Sequence, residues 1–391
     1  MFRIQTLNKI SLKGINRLPG ESYEVASEIP NPHAIIVRSF KMHSMEMPSS
    51  LIAVARAGAG VNNIPVKLCT EKGIVVFNTP GANANSVKEL VLTGLLISSR
   101  KIVEGINWVK GLIGEGDSVP KLIEKEKSRF AGPELRGKKL GVIGLGAIGA
   151  MVANDALSLG MDVVGFDPFI SVKSAWDLSS RVQRANVLET LVQEADYISI
   201  HVPLTDKTRG MLNKERFSIM KKGTRILNFS RNGLVNNQDL RQAIDQGIVA
   251  VYVTDFPDEN LLKMDNVLSI PHLGASTPEA EDNCAVMAVD QVREYLEEGN
   301  ILNSVNFPDC SLPFSGKSRL TIANKNVPNM VGQITAILAE KNLNISDFIN
   351  RHKEKYAYNI IDLDNEVDQE VISLLKAIPG VIMVREVKLN C

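Results

Sequence analysis

The chain has no excess of charge in either direction. Its 391 residues carry 44 Lys plus Arg and 44 Asp plus Glu. It therefore offers no bulk electrostatic handle to a polyanion or to an anionic membrane surface, which argues against a dedicated nucleic-acid or membrane binder. Long apolar runs are absent too: nothing approaches the roughly 18–20 residues that cross a bilayer. The opening MFRIQTLNKI alternates like a strand and has no signal-peptide core. Cysteine is sparse and scattered. Cys69, Cys284, Cys310 and Cys391 make no C-x-x-C pair and no cluster with histidine, so neither a disulfide frame nor a metal site is expected, and the thiols read as free in a reducing compartment, the cytoplasm. No repeat and no low-complexity tract is evident. What remains is ordinary for a soluble globular protein, with 44% apolar and 23% charged residues, and long enough for two or three domains.

Short β-rich runs alternate with helical patterns through the first three hundred residues. AIIVRS, IAVARAG, IVVFNT, KLGVIG, DVVGFD, YISIHV, RILNFS, AVYVTDF and VLSIP are strand candidates, several nearly all apolar, as befits parallel strands covered on both faces. Helical patterns separate them, including one continuous stretch over 85–106. This is the signature of α/β architecture with parallel sheets. Two Rossmann-like, doubly wound units are expected: one over 1–92 and, discontinuously, 273–306, and a second over 93–272. Residues 307–317, FPDCSLPFSGK, are aperiodic and read as a linker. Beyond it, 318–391 follows the order βαββαβ of a ferredoxin-like unit.

The strongest local signal is KLGVIGLGAIGAMVANDALSLGMDVVGFDPF. An apolar strand runs into Gly144-x-Gly146-x-x-Gly149, then a helix, then a second strand ending at Asp167, 18 residues past the last glycine. Gly144 permits a tight turn, Gly146 admits a pyrophosphate to the backbone, and Gly149 lets helix and strand pack closely. The pyrophosphate then meets free N–H groups at a helix N-terminus. A carboxylate at Asp167 suits ribose hydroxyls and disfavours a 2′-phosphate, so NAD is favoured over NADP. A flavin or sugar-nucleotide site is an alternative use of the same unit.

Three groups at later strand ends can do chemistry. Arg231, in ILNFSRNGLV, can grip a carboxylate with two parallel bonds. Glu259 follows AVYVTDF. His272 lies in VLSIPHLGASTPEA, between a strand and a helix start in which Ser276 or Thr277 can cap and Pro278 suits the first turn. Each alone is compatible with a solvated loop residue. Together they suggest a division of labour in which histidine takes a proton, glutamate steadies the ring and arginine orients the substrate.

The succession GLGAIG…FD, HVPLTDKTRGMLN, NFSRNGLV, DFPDE and PHLGAST resembles the D-isomer-specific 2-hydroxyacid dehydrogenases. Within them it is most similar to the subgroup acting on 3-phospho-D-glycerate at the head of serine synthesis. VRS, VARAGAGVNNI and NTPGANANSVKEL agree with that subgroup, and 318–391 resembles an ACT regulatory domain.

The resemblance implies NAD-dependent oxidation at C2 by a homodimer or homotetramer, with Arg231, Glu259 and His272 as the catalytic set. It places NAD on Gly144, Gly146, Ala147, Ile148, Gly149, Asp167, Pro168, His201, Val202, Pro203, Thr208, Phe229, Ser230, Asp255 and Gly274. It assigns Arg38, Ser39, Arg56, Gly58, Ala59, Asn83 and Lys127 to the substrate, and Asn324, Asn326 and Asn344 to an L-serine effector.

The chain departs from the pattern at several positions. The acid Asp255 stands one residue later than the family's Asp-Val-Phe, Asn236 replaces an aspartate, Asn324 replaces an effector-binding histidine, and Asn329 replaces a turn glycine. Two readings stand beside the leading one: the same chemistry on glycerate, hydroxypyruvate or 2-hydroxyglutarate, and an NAD-sensing scaffold without turnover.

Overall fold

Apolar runs of four to six residues without alternation need cover on both faces, and they become strands of parallel sheets, most of them interior. In the computed structural model, which describes residues 1–387, the first sheet comprises β1 (Phe2–Leu7), β2 (Tyr23–Ala26), β3 (Ala34–Val37), β4 (Ala53–Arg56) and β5 (Val75–Phe77), all parallel, in the order β2-β1-β3-β4-β5. The second comprises β6 (Lys139–Ile143), β7 (Asp162–Phe166), β8 (Gln183–Arg184), β9 (Tyr197–Ile200), β10 (Thr224–Asn228), β11 (Val249–Thr254) and β12 (Val267–Ser269). It too is wholly parallel, in the order β12-β11-β10-β9-β6-β7-β8. The third, of β13 (Ser318–Lys325), β14 (Ile345–Lys353), β15 (Tyr356–Leu363) and β16 (Val381–Val387), is antiparallel in the order β14-β15-β13-β16. The expected α/β class with two parallel sheets and a βαββαβ C-terminal part is what the chain adopts. Cys391 lies outside the described residues. Among those residues no helix is long and apolar enough to cross a membrane.

The chain divides into two units, Ala84–Thr277 and the remainder. In the first, the stretch read as one helix over 85–106 is two, Ala84–Ser99 and Ile102–Lys110. Two features meet at the break: the Ser98 and Ser99 hydroxyls both bond back to the Leu95 carbonyl, at 3.1 and 2.6 Å, a bond that competes with the helix ladder. Gly132 then crosses the Ser99 carbonyl so closely that a Cβ would lie 2.0 Å from it.

In the other unit the long helix Pro278–Glu298 packs on β3, β4 and β5, and its core runs on without a break from Phe77 and Tyr295 to Ala323, Tyr358 and Ile360 of the third sheet. The aperiodic 307–317 stretch carries no helix, yet Phe307, Cys310 and Leu312 are buried in that core. The helix leaves unpaired carbonyls at its C-terminal end, and side chains from the third sheet take them up. Arg385 donates to the Tyr295 carbonyl, Arg319 Nη1 to Glu298 at 2.9 Å, and the Tyr358 hydroxyl to Gly299 at 2.8 Å. Two cations at a helix C-terminus also meet the negative end of its dipole.

Arg319 and its cross-strand partner Asp362 are fully buried. The guanidinium grips the carboxylate with Nε and Nη2 at 2.6 and 2.8 Å, Phe314 covers it at 4.8 Å, and Ser315 supplies two further donors to Asp362. Removing one member of such a pair leaves an uncompensated charge in the core. Arg319→Leu should lower stability by about 3–5 kcal/mol in urea titration, whereas the double change with Asp362→Leu should recover most of that loss.

Candidate active site

The glycine turn after β6 shows why each glycine is required. Gly144 has φ +89°, and a Cβ there would lie 2.6 Å from the His201 carbonyl. At Gly149 a Cβ would lie 1.9 Å from the Gly144 carbonyl, so the helix Ala147–Ser158 reaches the turn only without a side chain. Gly146 is different: nothing lies within 4 Å of its Cβ position. That space opens on the N-terminus of the helix, where Gly146 and Ala147 are exposed and Ile148 is half-buried. Free N–H groups beside an open backbone suit a pyrophosphate. Asp167, just past β7, accepts from the Leu145 and Phe169 N–H groups at 2.8 Å each. A carboxylate has about four acceptor sites, so capacity remains for ribose hydroxyls. Pro168 is exposed beside it.

The sheet order reverses between β6 and β9, the switch point at which open α/β sheets take ligands. His201 follows β9 there. Its Nε2 bonds the buried Ser199 hydroxyl at 2.8 Å, its Nδ1 is shut off without a partner, and burial holds the ring neutral, down to about 4. Val202 and Pro203 lead into a loop that Thr208 closes by donating to the Pro203 carbonyl at 2.7 Å. Phe229 is a core residue, and Ser230 donates to the Ile200 carbonyl. The side chains of both positions are thus engaged within the protein.

Arg231, Asp255 and His272 follow β10, β11 and β12, three adjacent strands, and so gather at one edge. Arg231 is exposed. Its turn is built by Asn228, whose Nδ2 donates to the Arg231 carbonyl at 2.9 Å and whose Oδ1 accepts from the Ser230 N–H at 3.1 Å. Asn228 was not singled out from the sequence, although a buried amide ending an apolar strand is a signal of that kind. The His272 ring is exposed and tilts against Phe256 with centroids 4.6 Å apart. Its loop is tied down by Ser86, which donates to the Gly274 carbonyl at 2.8 Å.

Asp255 stands beyond the last residue of β11, so strand alternation does not set its direction. It is 1% exposed and neither carboxylate oxygen has a hydrogen-bond partner. Burial holds its carboxyl above the usual range, opposed by the charge of His272, by the nearby backbone N–H groups of Gly274 and Asp255 itself, and by the charge of Arg231. An orphaned carboxylate beside Gly274 is an acceptor waiting for a donor, as a nicotinamide carboxamide would be. Glu259, by contrast, opens the short helix Glu259–Leu262 with its side chain 83% exposed, bonded to Lys263 at 2.6 Å. Arg231, Asp255 and His272 are therefore brought together, while Glu259 is turned to Lys263.

Among the substrate candidates, Arg38 Nη2 lies 2.7 Å from Glu281. Arg56 donates to the carbonyls of Arg38 and Gly60. Asn8 accepts from the Ser39 N–H at 2.9 Å, and Asn78 holds the Ala59 carbonyl at 2.6 Å beside Gly58. Asn83 is half-buried just before the helix Ala84–Ser99. Lys127 is exposed and pairs with Glu124 at 2.5 Å.

The effector candidates are engaged internally. Asn324 is 1% exposed, accepting from Asn359 and donating to the Lys325 carbonyl, both at 2.7 Å. Asn326 donates to the Glu354 carbonyl, and Asn344 to Asp364. Among the described residues no group of three His, Cys, Asp or Glu could hold a metal ion.

Residues 92–274 match the family described as "D-isomer specific 2-hydroxyacid dehydrogenase, NAD binding domain". The chain is 36% identical over 303 residues to D-3-phosphoglycerate dehydrogenase of Methanocaldococcus jannaschii, covering 75% of this chain but only 55% of that protein; it thus spans about half the length of such relatives. To D-3-phosphoglycerate dehydrogenase of Escherichia coli strain K12 it is 32% identical over 386 residues, covering 93% of this chain and 88% of that one. It is also 37% identical over 288 residues to hydroxypyruvate reductase of Thermotoga maritima, covering 71% and 89%. In fold it is similar to NAD+-bound 3-phosphoglycerate dehydrogenase of Entamoeba histolytica, at TM-score 0.61 and 24% identity over 78% of this chain and 98% of that one.

The half-buried His201, its ring cut off from water and neutral, makes stability depend on pH. Its folded pKa lies below its ordinary 6.5, at about 4. Between those values an unfolded chain takes up a proton that the folded ring refuses, so this contribution is present above pH 6.5 and lost as pH falls through about 4. The melting temperature should fall across that window, and His201→Gln should flatten the fall in a pH series of thermal melts.

Proposed function

The chain belongs to the D-isomer specific 2-hydroxyacid dehydrogenase family, and from that premise we propose that it oxidises 3-phospho-D-glycerate at C2 to 3-phosphohydroxypyruvate with NAD. The observation that carries this is the gathering of a guanidinium, a buried unpartnered carboxylate and an exposed imidazole on three adjacent strand ends of the glycine-fingerprint sheet. Bound NAD supplies the acceptor for the C2 hydride. The chain supplies the rest. Arg231 grips the substrate carboxylate, and His272 takes the C2 hydroxyl proton. Asp255 accepts from the carboxamide and keeps the ring in register with the substrate carbon.

Glu259 is the family's partner for the histidine. Its pair with Lys263 joins two exposed side chains one helical turn apart, a contact of about 0.3–0.5 kcal/mol that substrate binding can exchange. Arg38, Ser39, Arg56 and Lys127 are assigned to the phosphorylated substrate, and Gly58, Ala59 and Asn83 are further substrate positions. The assembly is a homodimer or homotetramer in the cytoplasm. Residues 318–391 form an ACT-type regulatory unit for which L-serine is the candidate effector, through Asn326 and Asn344; Asn324 would first have to leave Asn359.

NADH production from 3-phosphoglycerate, set against glycerate and 2-hydroxyglutarate, tests the substrate, and calorimetry with L-serine tests the effector. A positioned base contributes roughly 10²–10⁴ in rate, so His272→Ala should lower kcat by that order while the dissociation constant for NADH stays within two-fold of the parent's, roughly the reach of a surface change outside the cofactor contacts. Turnover that survives this substitution would remove His272 from the chemistry, and failure to oxidise any 2-hydroxy acid would favour a sensing role.

A further inference from the structure

We propose that Glu281 sets how strongly the chain favours a phosphorylated over an unphosphorylated substrate, by competing with the phosphate for Arg38. The inference rests on the functional reading above, in which Arg38 meets the phosphorylated substrate. Arg38 follows β3, and its guanidinium lies 2.7 Å from the carboxylate of Glu281, in the first turn of the long helix. The second cation, Arg56, donates to the carbonyls of Arg38 and Gly60 and so orders the backbone that presents Arg38. Buried Cys284 lies among these groups, with Arg38, Arg56 and Glu281 all within electrostatic reach of its thiol. Arg38 therefore carries no net surplus of charge while the pair stands.

The pair is built to exchange. Its side chains are 37% and 44% exposed, unlike the fully buried Arg319–Asp362 pair. Water competes for both members, and such pairs hold by a small margin. Two further acids along the helix behave differently: Asp282 and Asp290 bond Lys13 and Arg17, on a surface segment. The partner of Glu281 stands instead at the C-terminal end of a parallel strand, the edge where such sheets take ligands. A dianionic phosphate arriving at Arg38 must share the guanidinium with Glu281 or draw it away, and in either case lies near that carboxylate. A substrate with a hydroxyl in place of the phosphate does neither. Glutamate thus lowers the advantage that Arg38 gives to phosphorylated substrates, and glutamine of the same length would restore it.

The test is steady-state kinetics of Glu281→Gln with 3-phosphoglycerate and with D-glycerate. Exposed pairs are worth a margin equivalent to about 1.4- to 5-fold in an equilibrium, so the KM for 3-phosphoglycerate should fall by about that factor, with kcat held and the KM for glycerate moving much less. In an Arg38→Ala background the gain should vanish, since coupled residues lose their effect when the partner is gone. An unchanged or raised KM for 3-phosphoglycerate, or an equal change for both substrates, would overturn the proposal. Should the parent chain fail to oxidise 3-phosphoglycerate, the functional reading falls. Protection from thermal unfolding by inorganic phosphate then decides the role of Glu281: stronger protection in Glu281→Gln supports it, and equal or weaker protection overturns it.

Discussion

A parallel sheet cannot return by hairpins. Every strand must be followed by a crossover, and every crossover leaves its first loop at the same edge of the sheet. This constraint places the chemistry. Gly144, His201, Arg231, Asp255 and His272 are far apart in sequence and belong to five different connections, yet each follows a strand of the one seven-stranded sheet. Small residues then tighten the geometry. A side chain at Gly149 would strike the Gly144 carbonyl, and one at Gly144 would strike the His201 carbonyl, so the turn, its helix and the loop after β9 close on one another only as glycine allows.

Much of this could be read in the sequence because the signals are local. Apolar runs without alternation announce covered strands, and the fingerprint combines strand, turn, helix and acid within about thirty residues. The histidine in SIPHLGASTPEA gained meaning from strand ends that the parallel pattern put beside it. What could not be read depends on contacts between distant segments. The break after Ser99 arises from hydroxyl back-bonding and the crossing at Gly132, and neither alters the apolar periodicity. Glu259 reads as the carboxylate for His272 from its order in the chain, and that order does not show its contact with Lys263, one turn along. Asp255 looked displaced by one residue, yet it lies past the strand end, where the alternation of faces no longer applies. Asn324 looked like a ligand-binding amide, and the amide of Asn359, 35 residues away, already occupies it.

The third sheet shows a related limit. Its βαββαβ order is plain from periodicity, and the preceding 307–317 stretch has the composition of a linker. Composition cannot report that Phe307, Cys310 and Leu312 sink into a core shared with the first sheet, or that Arg319, Arg385 and Tyr358 finish the long helix. A helix of this length ends in carbonyls that need donors. Here the donors come from strands that begin twenty or more residues later, so the helix terminus and the third sheet are each incomplete without the other.

Charge is used in two ways, and burial separates them. Arg319 and Asp362 have lost water entirely, so each needs the other, and the Glu298 carbonyl and Ser315 add fixed hydrogen bonds to the pair. Such a pair is permanent because both members are fully buried and breaking it strands a charge. Arg38 with Glu281, and Glu259 with Lys263, keep water on both members and cost little to separate. The first holds the arginine proposed to accept an anion, the second the carboxylate proposed to serve the histidine. An arginine that waited unpaired would hold its side chain less firmly, and one buried with its carboxylate would never release it. A half-exposed pair lies between these limits: it orders the guanidinium in the absence of ligand and yields it to a stronger anion. The strength of that temporary partner then becomes a control on selectivity, adjustable by changing one charge without altering the fold.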